Sequence, residues 1–189
     1  MQPIPEPERH AMLALAREAV SHAVTHRSLI ESIPQHGIFL ELRGIFVTLH
    51  VSGKLRGCIG VIEAEEPLGL AITKCAFSAA LEDPRFSSLQ PDELPHLEIE
   101  LSLLSAISPL APEEIRIGRH GLLIVQGKRR GLLLPQVAAE HSLDHEQFLA
   151  ETCWKAGLPR EAWRDPQTAI YGFSCEIIRD NESTERARG

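Results

Sequence analysis

Residues 54–60 read Lys-Leu-Arg-Gly-Cys-Ile-Gly, a thiol between two glycines with two cations just upstream. The thiolate is the nucleophilic form of cysteine and nearby positive charge stabilises it. Cys58 with Arg56 is therefore the first place in this chain where covalent chemistry could reside. Such a site also needs a base within reach, and His50, on the preceding stretch, is the candidate. Gly57 and Gly60 weaken a strand, so they are expected where a bulge forms or where another backbone or a ligand comes close. The competing expectation makes Cys58 a small hydrophobe packed beneath a second layer.

These residues need a hairpin to position them. Ile45-Phe-Val-Thr-Leu-His-Val51 alternates as a strand, Ser52-Gly53-Lys54 supplies turn chemistry, and Leu55–Ile62 returns. A three-residue loop opposes Val51 to Leu55. It places Val47, Leu49, Val51, Leu55 and Ile59 on one apolar face, and Thr48, His50, Arg56 and Cys58 on the other. A two-residue loop would carry Arg56 into the core, which costs several kcal/mol. In the preferred register His50 faces Arg56 and lies diagonal to Cys58, at roughly 7–8 Å between backbones.

Around the hairpin, helices are expected from Glu8 to about Arg27 and from Pro67 to about Glu82. The second ends at Asp83-Pro-Arg-Phe86. Ile38–Leu42 is an ambiguous short strand. Leu97–Leu103 alternates cleanly and leaves Glu98, Glu100 and Ser102 on its wet face, where the carboxylates could act as an acid/base pair or be a solvated surface. A second hairpin flanks Gly127-Lys-Arg-Arg130. Short helices follow at Pro135–Glu140, Asp144–Lys155 and near Pro159–Trp163, and Ile170–Ile178 closes as one strand. Hairpins and isolated strands separated by helices imply an α+β fold with a largely antiparallel sheet.

Composition narrows the function classes. The chain has 189 residues and a net charge of -7, so no global field draws it to phosphate backbones, and generic nucleic acid is an unlikely partner. The four cysteines form no CxxC pair, which excludes a zinc ribbon and suits a reducing, cytoplasmic setting. No apolar run reaches the ~20 residues of a membrane span. His22/His26 and His141/His145 have i,i+4 spacing, but neither pair has the glutamate of HExxH and a helix boundary near Leu143 and Asp144 interrupts the second, so they are read as solvent-facing and no metal site is expected. No GxGxxG or GxxxxGK[ST] follows a strand, and no cofactor is expected. The tail, 179–189, is charged and is expected to be disordered.

The stretch LRGCIG at 55–60 resembles the signature of the AMMECR family. The resemblance continues through FVTLH (46–50), Ala79-Ala80 with Asp83–Leu89, LEIELSLLS (97–105), GRHGLLI (118–124), LLLPQVAAE (132–140) and FLAETCWKAGL (148–158). It spans residues 8–178. It implies an α+β domain with a larger lobe, a smaller lobe and a cleft between them, and an activity that is unassigned. Relatives are often encoded beside a Memo-like protein and a radical S-adenosylmethionine enzyme, which the resemblance offers as partners. Where relatives carry a Trp-Asp pattern, this chain has His141-Ser-Leu-Asp144. Two functional readings stay open: an enzyme or enzyme subunit with Cys58, Arg56 and His50 at its centre, or a non-catalytic binding module for a peptide, nucleotide or nucleic acid. Gly57, Gly60, Glu98, Glu100 and His120 are the further residues to place at the site.

Overall fold

The computed structural model of the chain describes residues 4–180. Helix α1 (Glu6–His26) begins two residues earlier than its apolar spacing suggests. Pro5 is its N-cap and Pro7 sits in the first turn, where a missing N–H costs nothing. Strands β1 (Ile45–Val51) and β2 (Lys54–Val61) form the expected hairpin, and α2 (Leu68–Leu81) follows from an N-cap at Pro67. Ile38–Leu42, ambiguous as a strand, instead carries a short 3-10 turn at Gly37–Leu40. Strand β3 (Leu97–Leu104) completes the first half of the chain.

The second half holds β4 (Ser108–Pro109), β5 (Gly121–Gln126), β6 (Arg129–Leu133), α3 (Pro135–Glu140), α4 (His145–Lys155), β7 (Ala169–Phe173) and β8 (Cys175–Arg179). Two four-stranded sheets result, in the orders β2-β1-β3-β8 and β4-β7-β5-β6. The fold is α+β, and the strand pairs whose registers are resolved are antiparallel. The single closing strand expected at 170–178 is two strands: Ser174 interrupts it, β7 joins the second sheet and β8 the first. Arg179 and Asp180, assigned to a disordered tail by composition, are ordered. Asp180 accepts hydrogen bonds from Arg17 at 2.5 Å and from the Ile99 backbone at 2.8 Å. Residues 181–189 of that tail lie outside the described residues.

The chain divides into two compact units, residues 4–103 with 176–180, and residues 104–175. In the first, Ile45, Val47 and Leu49 of β1 pair with Leu103, Leu101 and Ile99 of β3, so one face of the sheet is apolar throughout. That face packs on α2, whose other side meets α1. A helix sandwiched in this way is apolar nearly all round, as LGLAITKCAFSAAL is. In the second unit, Leu122, Ile124 and Leu133 pack with Phe148, Leu149 and Cys153 of α4 and Ala138 of α3. No helix among the described residues is long and apolar enough to cross a membrane.

Candidate functional site

The hairpin tip differs from the three-residue loop that the apolar pattern predicts. Val51 pairs with Lys54 and His50 with Leu55, so the loop is Ser52-Gly53 alone. Ser52 (φ 50°) and Gly53 (φ 75°) both lie in the left-handed region, as a type I′ turn requires. The register then shifts between Leu49 and His50: Leu49 pairs with Gly57, leaving Arg56 as the extra residue of a bulge. This bulge resolves the conflict that argued against a short loop. It turns Arg56 out of the core and restores the expected pairs Thr48–Cys58 and Val47–Ile59 beyond it. Leu55 is the casualty. It shares a face with His50 rather than with Val47, and it is 39% exposed.

Across the first sheet the non-helical face carries two polar rows. Cys58, Thr48 and Glu100 are consecutive partners on β2, β1 and β3, and Leu55, His50 and Glu98 form the next row. Thr48 Oγ1 donates to Cys58 Sγ at 3.3 Å. Glu100 accepts from Arg179 Nε at 2.6 Å, and its side chain is 17% exposed, while Glu98 is exposed. Cys58 and His50 are half-buried. Cys75 and Cys153 lie in the two cores, where burial pushes the Cys75 thiol up to about 11 and raises that of Cys153.

Arg56 does not point at the thiol. Its Nε and one terminal nitrogen grip Glu93 at 2.6 and 2.9 Å, and the other donates to Ser87 O at 3.2 Å. Glu93 is spoken for as well, since it also accepts the Gln90 N–H at 2.8 Å. The bidentate pair raises the Arg56 pKa and lowers that of Glu93. Gly57 gives the clearance its type suggests: a Cβ there would lie 2.0 Å from Ala79 O, on the backbone of α2. Gly60 does the same for the Phe46 ring, at 2.3 Å. His120 belongs to the second unit, whereas the other candidates belong to the first.

The strand order makes β2 an edge, and an edge strand shows unpaired backbone groups. At Cys58 they are satisfied by side chains from the Asp83-Pro-Arg-Phe86 loop. Asp83 Oδ2 accepts the Cys58 N–H at 2.9 Å, and Arg85 donates to the Cys58 carbonyl at 3.0 Å. The two are joined by Arg85 Nε to Asp83 Oδ1 at 2.9 Å and a terminal nitrogen to Oδ2 at 2.7 Å. One carboxylate and one guanidinium thus stand in for a neighbouring strand. The Arg85 hydrogen bonds hold the Asp83 carboxyl well below the usual carboxylate range against the opposing effect of its burial, and Asp83 in turn raises the pKa of Arg85. Sequence reasoning treats Asp83-Pro84 only as a helix stop, because no spacing rule ties a loop to a strand 25 residues upstream. The signal available is an acid and a base two residues apart around a proline.

The AMMECR1 family model matches residues 13–178 of the chain. The chain belongs to the AMMECR1 family. It is 40% identical over 189 residues to a protein of Methanothermobacter thermautotrophicus, covering 95% of this chain and 97% of that one. A Thermococcus kodakarensis protein is 44% identical over 181 residues, covering 89% and 88%. Among solved structures, an uncharacterized protein from Pyrococcus horikoshii superimposes with a TM-score of 0.86 at 37% identity and 92% coverage of both chains. The signature LRGCIG of this AMMECR1-family chain is therefore described by what it touches: the backbone of α2, the Asp83–Arg85 bracket and Glu93. Among the described residues no three His, Cys, Asp or Glu side chains converge to hold a metal ion.

Proposed function

We propose that the chain is a binding subunit rather than a thiol enzyme. In this reading the polar face of the first sheet, with His50–Glu98 and Thr48–Glu100 at its centre, docks a partner, and LRGCIG is the rigid frame that holds that face. One observation carries it: the guanidinium of Arg56 is committed to Glu93 and Ser87, and both backbone groups of Cys58 to Asp83 and Arg85. A nucleophilic cysteine needs a cation and a base directed at its sulfur. Here the Cys58 sulfur receives a hydrogen bond from the Thr48 hydroxyl, and the cation beside it, Arg85, is already gripped through two nitrogens by the Asp83 carboxylate. The partners to which the family resemblance points are a Memo-like protein and a radical S-adenosylmethionine enzyme.

The test is co-purification of the tagged chain with those two proteins from its own genome, with intact-mass analysis of the recovered chain. Glu98→Lys should abolish co-purification, whereas Lys74→Gln, on the α2 side of the same unit, should leave it unchanged. A stoichiometric covalent adduct on Cys58 would return the site to catalysis. Indifference of co-purification to Glu98→Lys would remove the docking face.

A further inference from the structure

A second constellation lies in the unit formed by residues 104–175. The chain turns sharply at Ile117-Gly118-Arg119, where Gly118 takes φ 77° with open space around it, so glycine serves backbone freedom there rather than clearance. The N–H groups of Arg119 and His120 both bond to Arg116 O, at 3.1 and 2.9 Å. This turn sets Arg119 and His120 together on the wall of a pocket of about 170 Å³ whose other polar lining residues are Ser105, Ser108 and Ser174. The opposite wall is fixed by Ser105, whose N–H donates to Ser174 O and whose Oγ accepts the Ser174 N–H, each at 2.9 Å.

We propose that this pocket binds a small tetrahedral oxyanion, free phosphate or the terminal phosphate of a metabolite, held by Arg119, His120, Ser108 and Ser174. The lining is built of donors. Among the described residues the Arg119 guanidinium and the Ser108 and Ser174 hydroxyls have no hydrogen-bond partner. His120 Nδ1 accepts the Arg116 N–H at 3.3 Å, which leaves the proton of the neutral ring on Nε2. Burial, and then the charges of Arg119 and Arg116, lower the His120 pKa against the charge and the backbone hydrogen bond of Glu114. No carboxylate lines the pocket. Glu114, whose charge His120 feels, directs Oε2 to the Ala111 N–H at 3.1 Å. A planar guanidinium with convergent hydroxyls is the usual chemistry of phosphate recognition. Size sharpens the choice. Pockets for drug-sized ligands run to about 300–1,000 Å³. One of about 170 Å³ is below that range and suits a phosphate group.

The experiment is a titration of the full chain with inorganic phosphate, and separately with methyl phosphate, read by amide NMR shifts of Arg119, His120 and Ser174. Saturable shifts in the millimolar range or tighter are expected with phosphate. Arg119→Gln should weaken binding about tenfold or more, because it removes a charge-assisted pair. Ser174→Ala should weaken it less, and Lys128→Gln, on the exposed β5–β6 turn, should not change it. Equal affinity for methyl phosphate assigns the site to a terminal phosphate, and loss of affinity assigns it to the free ion. Arg119 is exposed, so its variant should keep the native melting temperature and remain interpretable. Linear, non-saturating shifts, or equal weakening by Arg119→Gln and Lys128→Gln, would overturn the proposal.

Discussion

Asp83 does two jobs with one carboxylate. Its side chain is 2% exposed, yet it carries charge, because Arg85 lies against it and two backbone N–H groups, of Cys58 and Arg85, bond to it. Asp83→Asn keeps an oxygen for the Cys58 N–H but ends the ionic pair. The expected loss at neutral pH is about 1.5–3 kcal/mol, the range for a hydrogen bond to a charged group. The sign of the pH dependence follows from the depressed pKa. The folded state holds the carboxylate more strongly than the unfolded state does. That stability is fully present above the ordinary carboxylate range, begins to fall within it, and is gone only once pH drops below the depressed pKa of the folded state. The difference between native and Asp83→Asn protein in urea unfolding should therefore be large at pH 7 and shrink near pH 3. An equal difference at both values would mean that the pair is not ionised.

The hairpin shows how element geometry turns the motif's residue types into contacts. Two glycines only a few residues apart serve opposite purposes there. Gly57 has an ordinary backbone conformation but no room, since a methyl group would lie 2.0 Å from Ala79 O and 2.9 Å from Ala79 C. Backbone atoms do not rotate aside. Gly57→Ala should therefore cost at least the ~1–3 kcal/mol of an overpacked core, by pushing β2 off α2. Gly53 has room but needs a positive φ, which asparagine tolerates, so Gly53→Asn should cost well under that. Denaturant midpoints of the two variants make the comparison, and the picture fails if Gly53→Asn is the more harmful. The alternation of β1 and β3 made the sheet legible, because burial of one face imposes a period of two. The apolar faces of α1 and α2 were legible for the same kind of reason. The bulge was not, since Arg56 in a two-residue register looked like a buried charge and nothing local signals an extra residue. The break at Ser174 was hidden too: β7 and β8 are both apolar enough to read as one strand, and only their partners separate them. Thr48 and Cys58 were legible as neighbours on one face. Glu93, in a 3-10 helix at Pro91–His96, and Asp83, in the loop after α2, occupy Arg56 and Arg85 from positions that depend on tertiary packing.

At the scale of the whole molecule, many of the arginines pair with the protein's own carboxylates. Arg9 pairs with Glu176, Arg17 with Asp180, Arg56 with Glu93, Arg85 with Asp83, Arg164 with Glu146 and Arg179 with Glu100. The basic run Lys128-Arg129-Arg130 caps the β5–β6 turn, and Arg129 there donates to Gly157 O at 3.0 Å. The whole chain carries a net charge of -7. Duplex DNA attracts proteins by releasing condensed counterions. The affinity falls with salt by a slope of about 0.9 for each phosphate neutralised, so strong non-specific binding needs many free cations on one surface. The pairs among the described residues leave few such cations, and a single phosphate pocket beside Arg119 would add a slope of only about one. Random duplex should therefore bind more weakly than about 100 μM at physiological salt, with a log–log salt slope near one or below. Fluorescence anisotropy over a salt series measures both quantities. Micromolar binding with a slope of several would show that cations now paired with carboxylates are released to the nucleic acid, and the proposed docking face of the first sheet, where Arg179 holds Glu100, would be the first place to look for them.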